Sequence, residues 1–332
     1  MKQTKQNWGI IGLVLMIFIG IITGCGSTSQ ETNGNVNDAA ISGNTSSEEQ
    51  SENTAFPITI TDDSGQEITI EKEPESIISM QPSNTEIAYA LGLGDKMIGV
   101  SDYCNYPAET ADVEKVGGQD MNAEMILTLM PDIIFVTDYH HQNHEAILKQ
   151  YKEAGISVIV IGSESSFADV YETIELIGKA TGTTVEADKL VDDMKERLLT
   201  VEEKAKQVTA KKKVWVEVSP APDIFTTGQG TFMHEMLETI QAENAAGNQK
   251  GWVKLTEEEI VQLNPDVIIT TYGYYVDNPK EGVMARSGWE EVPAIKDGNV
   301  HDVDSDTVTR PGPRLIEGVE HLAKLIYPEI FE

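Results

Sequence analysis

No residue types in this 332-residue chain stand at a spacing that performs covalent chemistry. A G-x-S-x-G elbow, an H-E-x-x-H pair, a P-loop and a G-x-G-x-x-G fingerprint are all missing, and Gly228-Gln229-Gly230 lacks the third glycine and is expected within a loop rather than directly after a strand. No catalytic residue and no catalytic cofactor are therefore predicted. The residues that remain carry binding chemistry. Tyr103, Tyr139, Phe225, Trp252 and Tyr272, with Tyr274 and Tyr275, follow or interrupt apolar strand-like runs in a chain that is only 6% aromatic. Aromatic faces with polar edges hold a bulky, partly apolar ligand and orient it. His140, His141 and His144 invite a metal reading, because His140 and His144 would share a helical face. The segment offers no well-oriented third ligand, so no metal site is predicted. Cys104 is expected as a free thiol beside the aromatic surface.

Two acids call for separate treatment because their surroundings repeat. Asn122 to Val136 reads NAEMILTLMPDIIFV and Thr256 to Thr270 reads TEEEIVQLNPDVIIT, so Glu124 matches Glu258 and Pro131-Asp132 matches Pro265-Asp266. Each copy predicts a capped short helix, a Pro-Asp turn and a buried strand. An acid in a first helical turn is favourable by ~0.3–1 kcal/mol, and Thr256 with Glu259 fits a capping box. Neither reason explains why both halves carry the same pair.

The positioning elements alternate between strand and helix. A hairpin is predicted over Ile58–Ile60 and Glu67–Ile70. A helix follows, capped by Ser83 with Glu86 as a capping box and running through Leu91. After the first repeat copy, Asp138 to His144 reads as a loop, with a helix from about His144 to Ala154 and a strand from Ile156 to Ile161. Ser219 to Gly230 reads as a Pro- and Gly-rich loop. The apolar stripe Val185, Leu190, Met194, Leu198 and Val201 predicts one long helix between two halves. The expected fold class is α/β: two Rossmann-like lobes with central, mostly parallel sheets, joined by that helix, with a ligand cleft between them.

Composition narrows the partners. Lys and Arg number 24 against 55 Asp and Glu, a formal net charge of −31; such a surface repels nucleic acid and anionic headgroups. Only Cys25 and Cys104 are present, so no disulfide scaffold is expected. Lys2 and Lys5 precede an apolar run over Ile10 to Ile22, the pattern of a secretion signal. Ile21-Ile22-Thr23-Gly24-Cys25 resembles the lipobox of bacterial lipoproteins, which implies lipidation at Cys25 and removal of residues 1–24. The polar stretch to Ala55 cannot offset the entropy of ordering and reads as a tether. The expected boundaries are 25–55 for lipidated cysteine and tether, 56–183 for the first lobe, 184–208 for the interlobe helix and 209–332 for the second lobe. The expected location is extracytoplasmic, anchored to the cell membrane by lipid.

With the lipobox and tether, the stretches PSNTE (Pro82 to Glu86), GVSDYCNYP (Gly99 to Pro107), GGQDMNAEMI (Gly117 to Ile126) and DSDTVTRPGPRL (Asp304 to Leu315) resemble the substrate-binding proteins of ABC importers. The likeness is to the class with a single interlobe helix that carries cobalamin, iron siderophores or haem, and most of all to its cobalamin-binding members. It covers essentially Phe56 to Glu332. By this resemblance Tyr103, Trp252, Asp306 and Arg310 contact the ligand, and Glu124 and Glu258 dock on arginines of a permease dimer served by cytoplasmic ATPase subunits. It implies a monomer that captures a corrinoid without altering it. Gly117 to Gln119 carries no tryptophan where such a site can present one, and Thr137 stands where another aromatic can. A siderophore or haem is the alternative cargo. A tethered hydrolase, the alternative of a different class, would need a nucleophile and base that the sparse histidines do not supply.

Overall fold

Continuous β-branched runs make the buried strands. The computed structural model describes residues 55–332; the expected signal segment 1–24, Cys25 and all but the last residue of the expected tether lie outside them. β1 (Ile58–Thr61) and β2 (Glu67–Ile70) form the predicted antiparallel hairpin. β3 (Ile77–Ser79) leads into α1 (Pro82–Ala90), β4 (Met97–Val100), α2 (Ala123–Leu129), β5 (Ile133–Thr137), α3 (Asp138–Asn143), α4 (Glu145–Glu153) and β6 (Ser157–Ile161). Strands β4-β3-β5-β6 make one wholly parallel sheet.

Two long helices follow, α5 (Phe167–Thr181) and α6 (Thr184–Ala205). The second sheet has the order β12-β11-β7-β9, again parallel, from β7 (Lys213–Glu217), β9 (Glu243–Asn244), β11 (Val267–Thr270) and β12 (Val300–Asp302). Around it lie α7 (Phe232–Thr239), α8 (Glu257–Leu263), α9 (Pro279–Met284), α10 (Pro293–Lys296), α11 (Ser305–Thr309), α12 (Leu315–Ile326) and α13 (Pro328–Phe331). A separate antiparallel pair joins β8 (Phe225–Thr227) to β10 (Trp252–Lys254).

Alternation along the strands assigns their two faces. Ile133 and Phe135 of β5, with Val267 and Ile269 of β11, enter one apolar cluster that runs without a break from Ile60 to Phe331 through α5, α6, α7 and α12. Ile134 and Val136 face a cluster confined to the first lobe, and Ile268 faces one confined to the second. Helix α6 buries Ala187, Val191, Met194, Val201 and Ala205 in the shared cluster. The lobes therefore meet through packed helices, an arrangement that permits small shear rather than wide opening. Among the described residues no helix is long and apolar enough to cross a membrane.

The repeat has a common physical basis. Asn122 caps α2 and Thr256 caps α8 through their side chains, and each helix stops at a left-handed residue, Met130 or Asn264. Asp132 then accepts the backbone N–H of Glu75 and Ser76 at 3.0 and 3.1 Å, and Asp266 accepts that of Lys213 at 2.8 Å. Each aspartate fastens its turn to the start of the neighbouring parallel strand.

Three local expectations need correction. Helix α1 has no side-chain cap: it starts at Pro82, which has no N–H to satisfy, and Ser83 and Glu86 are buried. The segment Asp138 to Asn143 is helical, capped by Thr137 rather than looped. Phe225–Thr227 is a strand, because Trp252–Lys254 supplies a partner from beyond the intervening helix.

Candidate functional site

Parallel strands deliver their loops to the carboxyl edge of a sheet, where ligands of such folds sit. After β4, Tyr103 stands 61% exposed. Its ring lies on Gly118, where a Cβ would come within 2.6 Å of the ring Cε2, so a residue without a side chain allows this packing. After β5, Tyr139 is exposed and meets the His140 ring edge-on at 5.9 Å between centroids. His140 itself is only 3% exposed. The Thr137 backbone N–H donates to its Nδ1 at 3.2 Å, the Thr137 hydroxyl lies 2.8 Å from the same atom, and Nε2 is 3.1 Å from the Gly118 carbonyl oxygen. Both ring nitrogens are thus occupied by protein partners. Burial pushes this imidazole below the usual histidine range, against the opposing pull of the Gly118 carbonyl.

In the second lobe the β8–β10 pair presents Phe225 opposite Lys254 and Trp252 opposite Thr227, and both aromatics are exposed, Trp252 by 54%. Tyr274 and Tyr275 pack edge-on at 4.7 Å and also face solvent. Tyr272 departs from the expectation of a ligand-facing ring, being only 2% exposed. Its hydroxyl donates to Glu217 Oε1 at 2.6 Å. Fully buried Glu217 also accepts from Trp215 Nε1 at 3.2 Å and from Arg286 Nη1 and Nη2 at 2.9 and 2.6 Å. Tyr272 is a buried support beneath the exposed tyrosines.

Asp306 and Arg310 lie at the seam between the lobes, inside an ionic network. Arg310 Nη1 donates to Glu86 Oε1 at 3.1 Å and to Asn105 Oδ1 at 2.6 Å, while Nη2 pairs with Asp306 Oδ1 at 2.8 Å. Arg314 adds two bonds to Glu86, from Nε at 2.8 Å and Nη2 at 2.7 Å, and stacks 4.0 Å over the Tyr106 ring. Asn105 Nδ2 closes the circuit on Asp306 Oδ2 at 3.1 Å. The loop that carries Tyr103 is thereby tied to the loop before α12. Asn105 and Arg314 were not singled out from the sequence, whereas the sequence suggests other roles for Glu86 and His140, a helix cap and a metal ligand. An arginine in RPGPRL and a buried acid in PSNTE were the available signals.

Cys104 is buried, with Sγ 3.1 Å from Thr85 Oγ1, and burial pushes its thiol up, so the neutral form persists. Glu124 and Glu258 occupy matching second positions of α2 and α8, both exposed. Glu259 closes the α8 capping box and Glu257 accepts Trp289 Nε1–H at 3.2 Å, whereas Glu258 faces solvent.

One acid near this edge carries a stability cost. Glu164, after β6, accepts from Thr173 Oγ1 at 3.1 Å, yet burial pushes its carboxyl from 4.5 up to about 7. The folded state favours the neutral acid, so the cost is absent below pH 4.5, grows between pH 4.5 and about 7, and is fully present above that. Glu164→Gln should raise unfolding free energy by up to about 3 kcal/mol at pH 8 and by much less at pH 5. Urea unfolding at both pH values checks this, and an equal gain at both would contradict it.

Residues 77–307 match the family model described as periplasmic binding protein. The uncharacterized ABC transporter substrate-binding lipoprotein YvrC of Bacillus subtilis is 45% identical over 330 residues, 99% of both chains. The vitamin B12-binding protein of Vibrio parahaemolyticus is 30% identical over 262 residues, covering 76% of this chain and 92% of that one. Among solved structures, a possible iron-binding (periplasmic solute-binding) protein from Staphylococcus epidermidis superposes with a TM-score of 0.70 at 34% identity, over 77% of this chain and all of the other.

Proposed function

The chain belongs to the periplasmic binding protein family, and on that premise we propose that it captures cobalamin or a related corrinoid for an ABC importer. As the substrate-binding component of such a transporter it works with a permease and an ATPase. The observation that carries the ligand is exposed aromatic surface on both lobes, chiefly Tyr103 in the loop after β4 and Trp252 at the start of β10. A corrin is a broad macrocycle with apolar faces and amide-bearing edges. Aromatic faces suit the former, and the polar groups of Asn105, Asp306 and Arg310, joined across the seam, suit the latter. Phe225 and Tyr139 extend the apolar surface. The relative named as a vitamin B12-binding protein supports the same cargo.

Capture requires no bond making. The chain is read as a monomer lipidated at Cys25 and held outside the cytoplasm, with lobes 56–183 and 209–332 about the helix 184–208. Glu124 and Glu258 present the loaded protein to the permease. Iron carried by a siderophore or in haem is the second reading, favoured by the likeness to a possible iron-binding protein and by the guanidinium of Arg310, which suits carboxylate groups. Titration with cyanocobalamin, haemin and ferric siderophores separates them. Corrinoid binding that falls at least tenfold in Tyr103→Ala and Trp252→Ala supports the first reading. Tight siderophore binding with no corrinoid binding overturns it.

A further inference from the structure

We infer that His140 is a positioning residue for the ligand surface of the first lobe, acting through the Gly118 carbonyl on the ring of Tyr103. The inference rests on the reading that Tyr103 contacts the cargo. Two separate stretches of chain meet at this imidazole, the end of β5 and the turn at Gly118. Thr137 ends β5 and aims its backbone N–H at Nδ1. An N–H can only donate, so Nδ1 is the acceptor and the bare nitrogen. The Gly118 carbonyl can only accept, so Nε2 carries the proton. Both contacts are made together only by the neutral Nε2–H tautomer.

The far side of Gly118 is the floor under Tyr103, since a Cβ there would fall 2.6 Å from the ring Cε2. Gly117, at φ 95°, turns the chain, and its carbonyl accepts the Asp102 N–H at 2.9 Å, one residue before Tyr103. The turn is therefore held by backbone from one side and by imidazole from the other. A histidine that only capped α3 would need its contact with Thr137 alone. The second nitrogen is committed to a loop 22 residues upstream, which a helix cap does not require. Tyr139 and His144, with ring centroids 5.9 and 6.0 Å from His140, complete its aromatic surroundings.

Two substitutions divide the imidazole's functions. Asn at 140 places an acceptor near Thr137 but is too short to reach Gly118, whereas Gln keeps a donor within reach of Gly118. The full chain is titrated with cyanocobalamin and haemin, with Tyr103→Ala as reference, and amide hydrogen exchange is followed over residues 117–121. His140→Asn should weaken probe binding about tenfold and speed exchange across the turn, with His140→Gln within about threefold of the parent in both. Gly118→Ala, which displaces the ring without touching the imidazole, should weaken binding as much as His140→Asn. His140→Asn matching the parent while Tyr103→Ala loses binding overturns the proposal, as does equal loss in the Asn and Gln variants. Should Tyr103→Ala bind both probes like the parent, the ligand reading fails instead. The exchange rates then still decide whether His140 holds the turn: unchanged exchange in His140→Asn overturns it. Nitrogen NMR of the imidazole provides a check independent of ligand, and a protonated Nδ1 at neutral pH would contradict the assignment.

Discussion

Glu86→Ala should lower the unfolding free energy by about 3–5 kcal/mol, the cost of stranding partly buried charge when one member of an ion network is removed. Glu86 is 3% exposed and receives three hydrogen bonds from two arginines of the other lobe. Without it Arg310 retains Asn105 and Asp306, but for Arg314 the remaining ionic contacts are long, to Asp304 at 3.9 Å and Asp306 at 3.7 Å, beside its stacking on Tyr106. Arg310→Ala should cost less, because Arg314 keeps its two-point pairing with Glu86. The loss should be concentrated at the seam. Amide exchange in α1 and in the loop before α12 should accelerate while β5 and β11 stay protected. Urea unfolding gives the magnitude. A change below about 0.5 kcal/mol would place the network with exposed pairs that contribute almost nothing. The same variant tests cargo binding, since Asn105 is two residues from Tyr103 and depends on Arg310 for its orientation.

What was legible in the sequence follows from the range of the forces involved. The β5 and β11 runs declared buried parallel strands because both faces needed apolar residues, as the alternation of Ile133 and Phe135 with Ile134 and Val136 between two clusters demonstrates. The helix α6 and the twin Pro-Asp turns are local patterns that folded as read, although α6 buries Ala187, Val191, Met194, Val201 and Ala205, sharing only Met194 and Val201 with the expected stripe. The errors lie where a distant partner decides. Helix α3 has mostly polar residues and no apolar period, so its cap and the reach of His140 to Gly118 were invisible. Strand β8 exists because β10 pairs with it. Glu86 matched a capping pattern whose spacing was right, but the helix starts at Pro82, so Ser83 lies inside it rather than at its cap, and two arginines more than 220 residues away take the carboxylate. Tyr272 follows a strand like its exposed neighbours, and only Glu217 on the adjacent strand accounts for its inward turn. An acid in the run KVWVEV was the single clue that a buried partner was needed.

Replacing both Glu124 and Glu258 with Lys should abolish docking on the permease while leaving cargo affinity within about twofold. Both carboxylates are exposed at the second position of a capped helix, so neither is required for the packing of its lobe. The helix dipole favours each acid by only about 0.3–1 kcal/mol, which bounds the stability lost on substitution. On the proposed reading their larger contribution is to a partner. A carboxylate that meets an arginine through two charge-assisted hydrogen bonds contributes about 1.5–3 kcal/mol. Losing two such contacts weakens docking by about 100-fold or more, and reversed charge adds repulsion to the loss. The matching sites on α2 and α8 further require that the contacts be made together, one per lobe, so Glu124→Gln or Glu258→Gln alone should leave a weakened but measurable complex. Binding of the parent and the variants to permease reconstituted in nanodiscs, at low and high salt, reads all of these effects. Docking of the parent should fall steeply as salt screens the pairs, whereas cargo binding through aromatic faces should hardly change. A Lys/Lys variant that docks like the parent would separate the repeated acids from the transporter and leave them as helix-start charges alone.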